Sequence, residues 1–395
     1  MALKTSICGE TTVENHHLKA QLDSNRSHRI LSIDGGGIRG VIALEVLSKI
    51  ERDLRVLTGK DDLVLADWFD FIGGTSTGAI VATGLSMGME VDDLMSLYTE
   101  RGRAMFKRSG LMERLWYNQY SHEELEKILK ATFGEDTILG TDRLKTLLMV
   151  VLRNASTDSP WPLTNNPKAK YNQADCGKEN NLNIPLWRVV RASTAAPTFY
   201  RAEEIQLGKN KFTFVDGALT PYNNPAFMMF MNATLPEYNL NWKATEEDLL
   251  LISVGTGLHP DSAPDLDPHK MNLVYTAKSA PKALIYANIV EQDKMCRLMG
   301  NCLVGDELDG EIGALIGTRA PLERKLFTYA RYNVDLTRKA LKRINCEHLA
   351  DLPLELLDGV NLIEPLREVG RAIADDRVSV NHFAKHCPFT SMNVR

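Results

Sequence analysis

Short apolar runs of strand length alternate with stretches of helical periodicity along this chain. The strand-like runs occupy residues 29–33, 68–72, 147–152 and 249–254. After the first of them, apolar residues recur every three or four positions from Gly40 until Gly59, which predicts a helix that ends at a glycine. Strands and helices in this alternation are typical of an α/β fold with a mostly parallel sheet.

The run at 147–152 contains only Leu, Met and Val, as expected of a strand that is covered on both faces. We therefore predict three layers, with the sheet lying between two layers of helices. Glycine-rich turns follow the runs at 29–33, 68–72 and 249–254. Because functional residues in such sheets collect at the carboxyl ends of the strands, we expect a functional site at these turns.

The same patterns predict three regions. Residues 1–27 have the composition of a polar N-terminal tail, residues 28–260 form the α/β domain, and residues 261–395 form a mainly helical extension packed on that domain. Within the extension, residues 327–334 have the pattern of a strand. Residues 154–183 are rich in Asn, Pro and Lys and predict a long loop inside the α/β domain.

The composition narrows the class of protein. Among 395 residues, 46 basic and 51 acidic side chains give a net charge of −5, so nothing indicates DNA or RNA as a partner. The six cysteines lack Cys-x-x-Cys spacing, and no Cys/His cluster has the spacing of a zinc site. We therefore expect reduced thiols, no metal and no cofactor.

Residues 71–89 carry no charge, but they do not have the composition of a membrane span. More than half of them are Gly, Ser or Thr, which predicts a buried strand, a tight turn and a buried helix instead. Residues 1–25 contain no apolar stretch of the length found in signal peptides. We therefore expect a cytoplasmic protein.

Ser76 is the first candidate for chemistry, in the sequence Gly-Thr-Ser-Thr-Gly at 74–78. A Gly-x-Ser-x-Gly sequence between a strand and a helix is the context of a nucleophile elbow. The serine is strained there, its neighbours two positions away must lack side chains, and the helix N-terminus stabilises developing negative charge. The alternative is a tight strand-to-helix turn without chemistry.

The second candidate is the sequence Asp-Gly-Gly-Gly-Ile-Arg-Gly at 34–40. It matches the dinucleotide-binding fingerprint Gly-x-Gly-x-x-Gly, although no acidic residue stands at the end of the next strand, as the fingerprint requires. The adjacent N–H groups of Gly35, Gly36 and Gly37 would equally suit an oxyanion hole. A turn that serves only packing is the third interpretation.

The third candidate is Asp216, which ends a strand-like segment at 212–216 and is followed by Gly217. A carboxylate can serve as the base for a serine if burial raises its pKa, but Asp-Gly after a strand is usually only a turn. Ser76, Asp216 and His259 also follow the chain order of a conventional hydrolase triad. A surface-loop position is the commoner explanation of such a histidine.

Together these motifs resemble those of the patatin-like phospholipases. The matching segments are 34–40, 74–78 and 216–218, with further similarity at 191–197, 223–225 and 253–257. The resemblance covers about residues 29–257, in order and spacing as well as in motif.

This resemblance implies a Ser–Asp dyad and no catalytic histidine. Ser76 would attack the ester carbonyl, and Asp216 would accept its proton and return it to the leaving alcohol. The N–H groups of Gly35, Gly36 and Gly37 would hold the tetrahedral oxyanion. Arg39 would either contact a phosphate head group or cap local structure.

The activity implied by the resemblance is that of a phospholipase A-type acyl hydrolase, recruited from the cytoplasm to the surface of a phospholipid membrane. A basic and aromatic stretch at 101–120 suits such a surface, or forms a solvated cap helix. The alternatives are a nucleotide-binding protein that uses Gly35 to Gly40 for phosphate, and a constitutive esterase of non-membrane lipids.

The compact sequence is also similar to bacterial patatin-like effectors of anti-phage defence, which are activated by cyclic nucleotides. This similarity implies a cyclic oligonucleotide as a candidate activator, with a constitutive lipase as the alternative. Basic residues at 338–343 are one candidate for a regulatory site, although they would equally fit a solvated cover of the sheet. The sequence leaves a homo-oligomer open.

Overall fold

The computed structural model of the protein describes residues 16–105, 122–197, 199–260, 269 and 271–387. Nine strands lie within these residues: β1 (His28–Ile33), β2 (Phe71–Thr75), β3 (Leu147–Asn154), β4 (Ser159–Thr164), β5 (Glu203–Leu207), β6 (Asn210–Asp216), β7 (Leu249–Val254), β8 (Asn301–Val304) and β9 (Thr328–Tyr332). They form one sheet in the order β5-β6-β3-β2-β1-β7-β9-β8, and β4 pairs with β3 in addition.

The α-helices of the described residues are α1 (Gly40–Thr58), α2 (Leu65–Trp68), α3 (Thr77–Ser86), α4 (Val91–Met105), α5 (His122–Phe133), α6 (Leu186–Ser193), α7 (Ala226–Thr234), α8 (Leu273–Met299), α9 (Arg338–Arg343), α10 (Ile363–Arg377) and α11 (Asn381–Ala384), and short 3-10 helices lie before and between them. Helix α1 ends where Gly59 adopts a left-handed conformation, at φ 66°. The helix thus ends at the glycine where the sequence pattern predicts its end.

The predicted α/β architecture is confirmed. Strands β3, β2, β1, β7, β9 and β8 are joined by parallel pairing, while β4, β5 and β6 add antiparallel pairs near one end of the sheet. Alternating side chains of β1 enter different cores: Leu31 and Ile33 pack with α1, α3, α4 and α10, whereas Ile30 packs with α7 and the end of α8. The sheet therefore lies between two layers of helices.

Two predicted segments differ from the structure. The strand expected at 68–72 begins three residues later, at Phe71, because the residues before it form the short helix α2. The loop expected at 154–183 contains the strand β4, with prolines at 160 and 162. Because β4 pairs with β3 alone among the described strands, its other edge needs no N–H donors, which makes prolines tolerable there.

The region that follows β7 is mainly helical, as expected, but it also continues the central sheet. Strands β8 and β9 come from this region, and β9 pairs with β7 while β8 pairs with β9. At the other end, Leu18 is buried in the core, and the indole N–H of Trp242 donates to the carbonyl of Gln21 at 2.9 Å. The division of the protein at residues 27 and 260 remains a prediction.

The pairing of β3 brings two distant segments together end to end. Strand β4 occupies one edge of β3 from Met149 to Asn154, so β2 and β6 must share the other edge. Thr75 of β2 is paired with Val151, and Asp216 of β6 with the next residue, Leu152. Because β2 runs parallel to β3 and β6 runs antiparallel to it, the two strands end at adjacent positions along β3. Asp216, the last residue of β6, therefore lies next to the end of β2.

Candidate functional site

Ser76 occupies a strained turn between β2 and α3. Its backbone has φ 54° and ψ −122°, a conformation that costs a non-glycine residue roughly 1–3 kcal/mol. The glycines on either side make the turn possible. A Cβ on Gly74 would lie 2.1 Å from the carbonyl oxygen of Gly78, and a Cβ on Gly78 would lie 2.3 Å from that of Ile33. The local geometry is that of a nucleophile elbow.

Asp216 meets the serine directly. The hydroxyl Oγ of Ser76 donates to Oδ2 of Asp216 at 2.7 Å, and the N–H of Ala218 donates to Oδ1 at 2.8 Å. Asp216 is 3% exposed. Burial raises the pKa of this carboxyl to about 6, although the two hydrogen bonds oppose the shift. A carboxylate with a raised pKa in contact with a hydroxyl is equipped to accept its proton.

Ser193, at the end of α6, holds the backbone of the elbow. Its Oγ accepts the N–H of Ser76 at 2.9 Å and donates to the carbonyl of Val151 at 2.7 Å. Val151 is the β3 residue paired with Thr75, so this fully buried serine links the elbow to the strand beside it. The sequence motifs assign no role to Ser193, although it lies in the segment 191–197 that carries part of the resemblance.

The three-glycine turn lies against the elbow. A Cβ on Gly35 would lie 2.3 Å from Oδ1 of Asn223 and 3.2 Å from Cβ of Ser76, so a side chain at this position would be crowded. The N–H of Gly35 donates to the carbonyl of Asn223 at 3.1 Å. The carbonyl of Gly35 accepts bonds from Oγ1 of Thr256 at 2.8 Å and from Nδ2 of Asn223 at 3.3 Å. Gly35 is therefore fixed through both of its backbone polar groups.

The next two glycines differ from Gly35 in their bonding. Within the described part of the protein, the N–H groups of Gly36 and Gly37 have no acceptor, whereas the N–H of Ile38 donates to the carbonyl of Leu357 at 2.8 Å. Gly37 has φ 59°, which places it in the left-handed region. The turn thus carries two adjacent backbone donors without an acceptor, directly after the glycine that approaches Ser76.

Arg39 is half-buried at the start of α1. Its Nε donates to the carbonyl of Gly36 at 3.5 Å, at the limit of a hydrogen bond. Burial lowers the pKa of its guanidinium to about 10, and the carboxylates of Glu355 and Asp34 oppose this shift. Arg39 therefore contacts the three-glycine turn, and its guanidinium also interacts electrostatically with the carboxylates of Glu355 and Asp34.

Other residues singled out in the sequence lie elsewhere. His259 is exposed, and it acts electrostatically on Asp335 rather than on the Ser76–Asp216 pair. Most of the basic and aromatic stretch at 101–120 lies outside the described residues. Among the residues that the structure describes, no group of three or more His, Cys, Asp or Glu could hold a metal ion. No helix in the same residues has the length and apolarity to cross a bilayer.

Comparison with known proteins gives a consistent family assignment. The family model described as patatin-like phospholipase matches residues 31–230. Patatin-T5 of Solanum tuberosum is 29% identical over 249 residues, which cover 58% of this chain and 60% of that protein. Patatin-like phospholipase 1 of Plasmodium falciparum is 28% identical over 242 residues, covering 58% of this chain and 35% of that protein. The matches thus span less than two thirds of these relatives.

A further relative shows why the geometry of the site matters. An Arabidopsis thaliana protein described as probable inactive patatin-like protein 9 is 27% identical over 250 residues, covering 60% of this chain and 62% of that protein. Similarity of this degree therefore extends to a protein described as probably inactive. In the present protein, Oγ of Ser76 and Oδ2 of Asp216 lie 2.7 Å apart. The matched residues make up half of the sequence, and the protein belongs to the patatin-like phospholipase family.

Proposed function

We propose that this protein hydrolyses the ester bonds of lipids, with Ser76 as nucleophile and Asp216 as its only general base. The observation that supports this most directly is the 2.7 Å hydrogen bond between the two side chains, made by an aspartate whose pKa is raised to about 6. At pH 7 such a carboxyl is still mostly ionised, yet it is a stronger base than an exposed aspartate.

The reaction is a two-step acyl transfer. Oγ of Ser76 bonds to the ester carbonyl carbon while its proton passes to Asp216. The tetrahedral intermediate collapses, the bond from carbon to the leaving oxygen breaks, and Asp216 gives that oxygen the proton. A water molecule then attacks the acyl-serine, losing a proton to Asp216, and the fatty acid leaves as Oγ of Ser76 takes the proton back.

The negative oxygen of each intermediate would be held by the glycine turn. The N–H groups of Gly36 and Gly37 are the donors best suited to this role, because they have no acceptor among the described residues. The N–H of Gly35 already bonds to Asn223, so within this proposal Gly35 mainly positions the other two. The N-terminus of α3 adds a favourable field at the same place.

Nucleotide binding through Gly35 to Gly40 has less support. The N–H of Ile38 donates to the carbonyl of Leu357, and the N–H of Arg39 donates to the carbonyl of Gly36. Neither group is therefore available to bind a phosphate. A dinucleotide site also requires an acidic residue at the end of β2, to bind the ribose. Strand β2 ends instead at Thr75, which is followed by Ser76.

Phospholipid is the substrate class we favour, with the protein acting in the cytoplasm and visiting the membrane surface. The support is the description of the family and of the Plasmodium relative as phospholipases. Arg39 is then a candidate contact for the phosphate group, since no acceptor among the described residues engages the Nη atoms of its guanidinium. An esterase of non-membrane lipids would use the same dyad.

The experiment compares wild type with Ser76→Ala and Asp216→Asn on p-nitrophenyl butyrate and on phosphatidylcholine vesicles, with fatty acid release measured by mass spectrometry. Ser96→Ala is the matched control, because Ser96 is exposed and, among the described residues, its hydroxyl donates to the backbone of its own helix alone. We expect losses of at least about a thousandfold in both site variants. Activity retained by Ser76→Ala would refute the nucleophile, and a comparable loss in His259→Ala would refute the dyad.

Activation by a cyclic oligonucleotide, in bacterial anti-phage defence, is a separate part of the proposal and rests on sequence similarity alone. It is tested by adding a panel of cyclic di- and trinucleotides to the vesicle assay. Stimulation by one of them, and not by the linear nucleotide, is the expected result. Equal rates with every member of the panel would instead indicate a constitutive lipase.

A further inference from the structure

Arg331, a buried arginine of β9, forms an ion pair with Asp34, the residue that precedes the three-glycine turn. Nη1 of Arg331 donates to Oδ1 of Asp34 at 2.8 Å, and Nη2 donates to Oδ2 at 2.5 Å. The side chains are 1% and 2% exposed. Nη1 also donates to Oγ of Ser253 on β7 at 2.7 Å. The planar guanidinium thus joins three neighbouring strand ends in one arrangement, which is a geometry that lysine cannot reproduce.

Asp34 is fixed in its main chain as well. Its N–H donates to the carbonyl of Val254 at 3.0 Å, which extends the pairing of β1 with β7 by one residue. Burial alone would lower the pKa of Arg331, but the carboxylate of Asp34 outweighs burial and raises it. The arginine is therefore a permanent cation, and Asp34 is held through its backbone on one side and its carboxylate on the other.

The residue after Asp34 is Gly35, and its position determines where the next two N–H groups point. A second connection reaches the turn from the same direction: Oδ1 of Asn333 accepts the N–H of Gly257 at 3.0 Å, beside the threonine that bonds to Gly35. Arg331 lies in β9, and Asn333 is the first residue after this strand. Both residues lie about a hundred positions beyond the end of the family match at 31–230.

We infer that Arg331 is a positioning residue for the oxyanion donors, and that this reaction needs the segment around β9 as well as the region shared with the family. The inference rests on the proposed hydrolysis by Ser76. Donors for an oxyanion act only when they are set in advance at hydrogen-bond distance from the developing charge. Arg331 touches no reacting atom, and it acts by holding Asp34 and, through it, the turn.

The test uses Arg331→Met and Arg331→Lys in the full-length protein, with Arg29→Met as the control. Arg29 is also buried on the sheet and bonds to a buried aspartate, Asp70, but at the opposite ends of the strands from Ser76. Kinetics on p-nitrophenyl butyrate are normalised to the folded fraction measured by near-UV circular dichroism. We expect Arg331→Met to lose roughly a hundredfold in kcat with KM within about threefold of wild type.

Arg331→Lys keeps the charge and should recover part of the kcat, while Arg29→Met should keep kcat within about threefold of wild type. A merely structural role predicts equal effects in the two arginine-to-methionine variants after normalisation, and that result would overturn the inference. Arg331→Lys keeps the test usable if the methionine variant does not fold, because its kcat must then fall by at least about tenfold.

A second measurement does not depend on activity. Hydrogen–deuterium exchange of the peptide containing residues 34–40 should accelerate in the Arg331 variants and not in Arg29→Met. Unchanged exchange in that peptide would overturn the inference even if kcat fell. If the wild type hydrolyses no ester, the proposed function fails, and the exchange experiment still decides whether Arg331 holds the turn.

Discussion

The hydroxyl of Ser193 holds the backbone of Ser76 in place, accepting its N–H at 2.9 Å. Because Ser193 also donates to Val151 at 2.7 Å, the orientation of its hydroxyl is fixed. The strained φ of 54° at Ser76 is therefore supported by a hydrogen bond from outside the elbow.

We predict that Ser193→Ala lowers kcat by about tenfold and destabilises the fold by about 1–3 kcal/mol, because the N–H of Ser76 loses its acceptor inside the protein. Ser86→Ala is the matched control: Ser86 is also fully buried, at the opposite end of α3 from Ser76, and accepts a bond from Thr146 at 3.0 Å. Equal kcat values for the two variants per folded molecule would contradict a role for Ser193 in holding the elbow.

The pH dependence of the reaction should report Asp216. Since the pKa of this carboxyl is raised to about 6, and since only the ionised form accepts the serine proton, kcat/KM should be constant above pH 7 and fall tenfold per pH unit below about 6. The profile is measured with a substrate that does not itself ionise. A decline that begins only near pH 4 would show that Asp216 is not buried as described.

Stability should depend on pH in the opposite sense. The pKa of Asp216 is raised from 3.8 to about 6 in the folded state, so the folded protein holds the proton more tightly than the unfolded one. Its stabilising contribution is complete below pH 3.8 and is lost as the pH rises through 6. Asp216→Asn should therefore be more stable than wild type at pH 8, by on the order of 3 kcal/mol.

That gain is measured by urea unfolding at pH 8 and should disappear as the pH approaches 4. The same variant is expected to be inactive, so the more stable protein is the poorer enzyme. A loss of stability in Asp216→Asn at pH 8 would contradict this prediction. It would mean that the hydrogen bonds of the carboxylate stabilise the folded state by more than its burial destabilises it.

Substitution of Gly74 should be far more damaging than substitution of another glycine. A Cβ at position 74 would lie 2.1 Å from a backbone oxygen of the elbow, whereas a Cβ on Gly310 would meet nothing within 4 Å. We expect Gly74→Ala to lose activity and several degrees in Tm, and Gly310→Ala to change neither by a measurable amount. Thermal unfolding followed by circular dichroism, with the ester assay, compares them.

The elements that carry Ser76 and the glycine turn were predictable because their signals are local. An apolar strand, a glycine-rich turn and a helical period follow one another within a few residues, and each restricts the next. Strand β7 was predicted at its observed limits, Leu249–Val254, for the same reason. Strand β4 was missed because prolines at 160 and 162 argue against a strand unless it lies at an edge, and pairing partners are not visible in the sequence.

The supports of the site were missed because they act across long separations. Asn223 bonds to Gly35 from 188 positions away, and Arg331 bonds to Asp34 from 297 positions away. A signal for the arginine did exist: it stands in the otherwise uncharged sequence Thr-Tyr-Ala-Arg-Tyr of β9, and a charge inside a buried strand needs a partner. The sequence contains several aspartates, and only the strand order selects Asp34.

The end-to-end arrangement of β2 and β6 along β3 has a consequence for the order of synthesis. The nucleophile leaves the ribosome 140 residues before its base, and the arginine that steadies the glycine turn follows later still. On the proposed mechanism a nascent polypeptide holds an inert serine until the end of β6 docks against β3. The pair of side chains can therefore form only after β6 has paired with β3, and on this mechanism no ester is hydrolysed before that step.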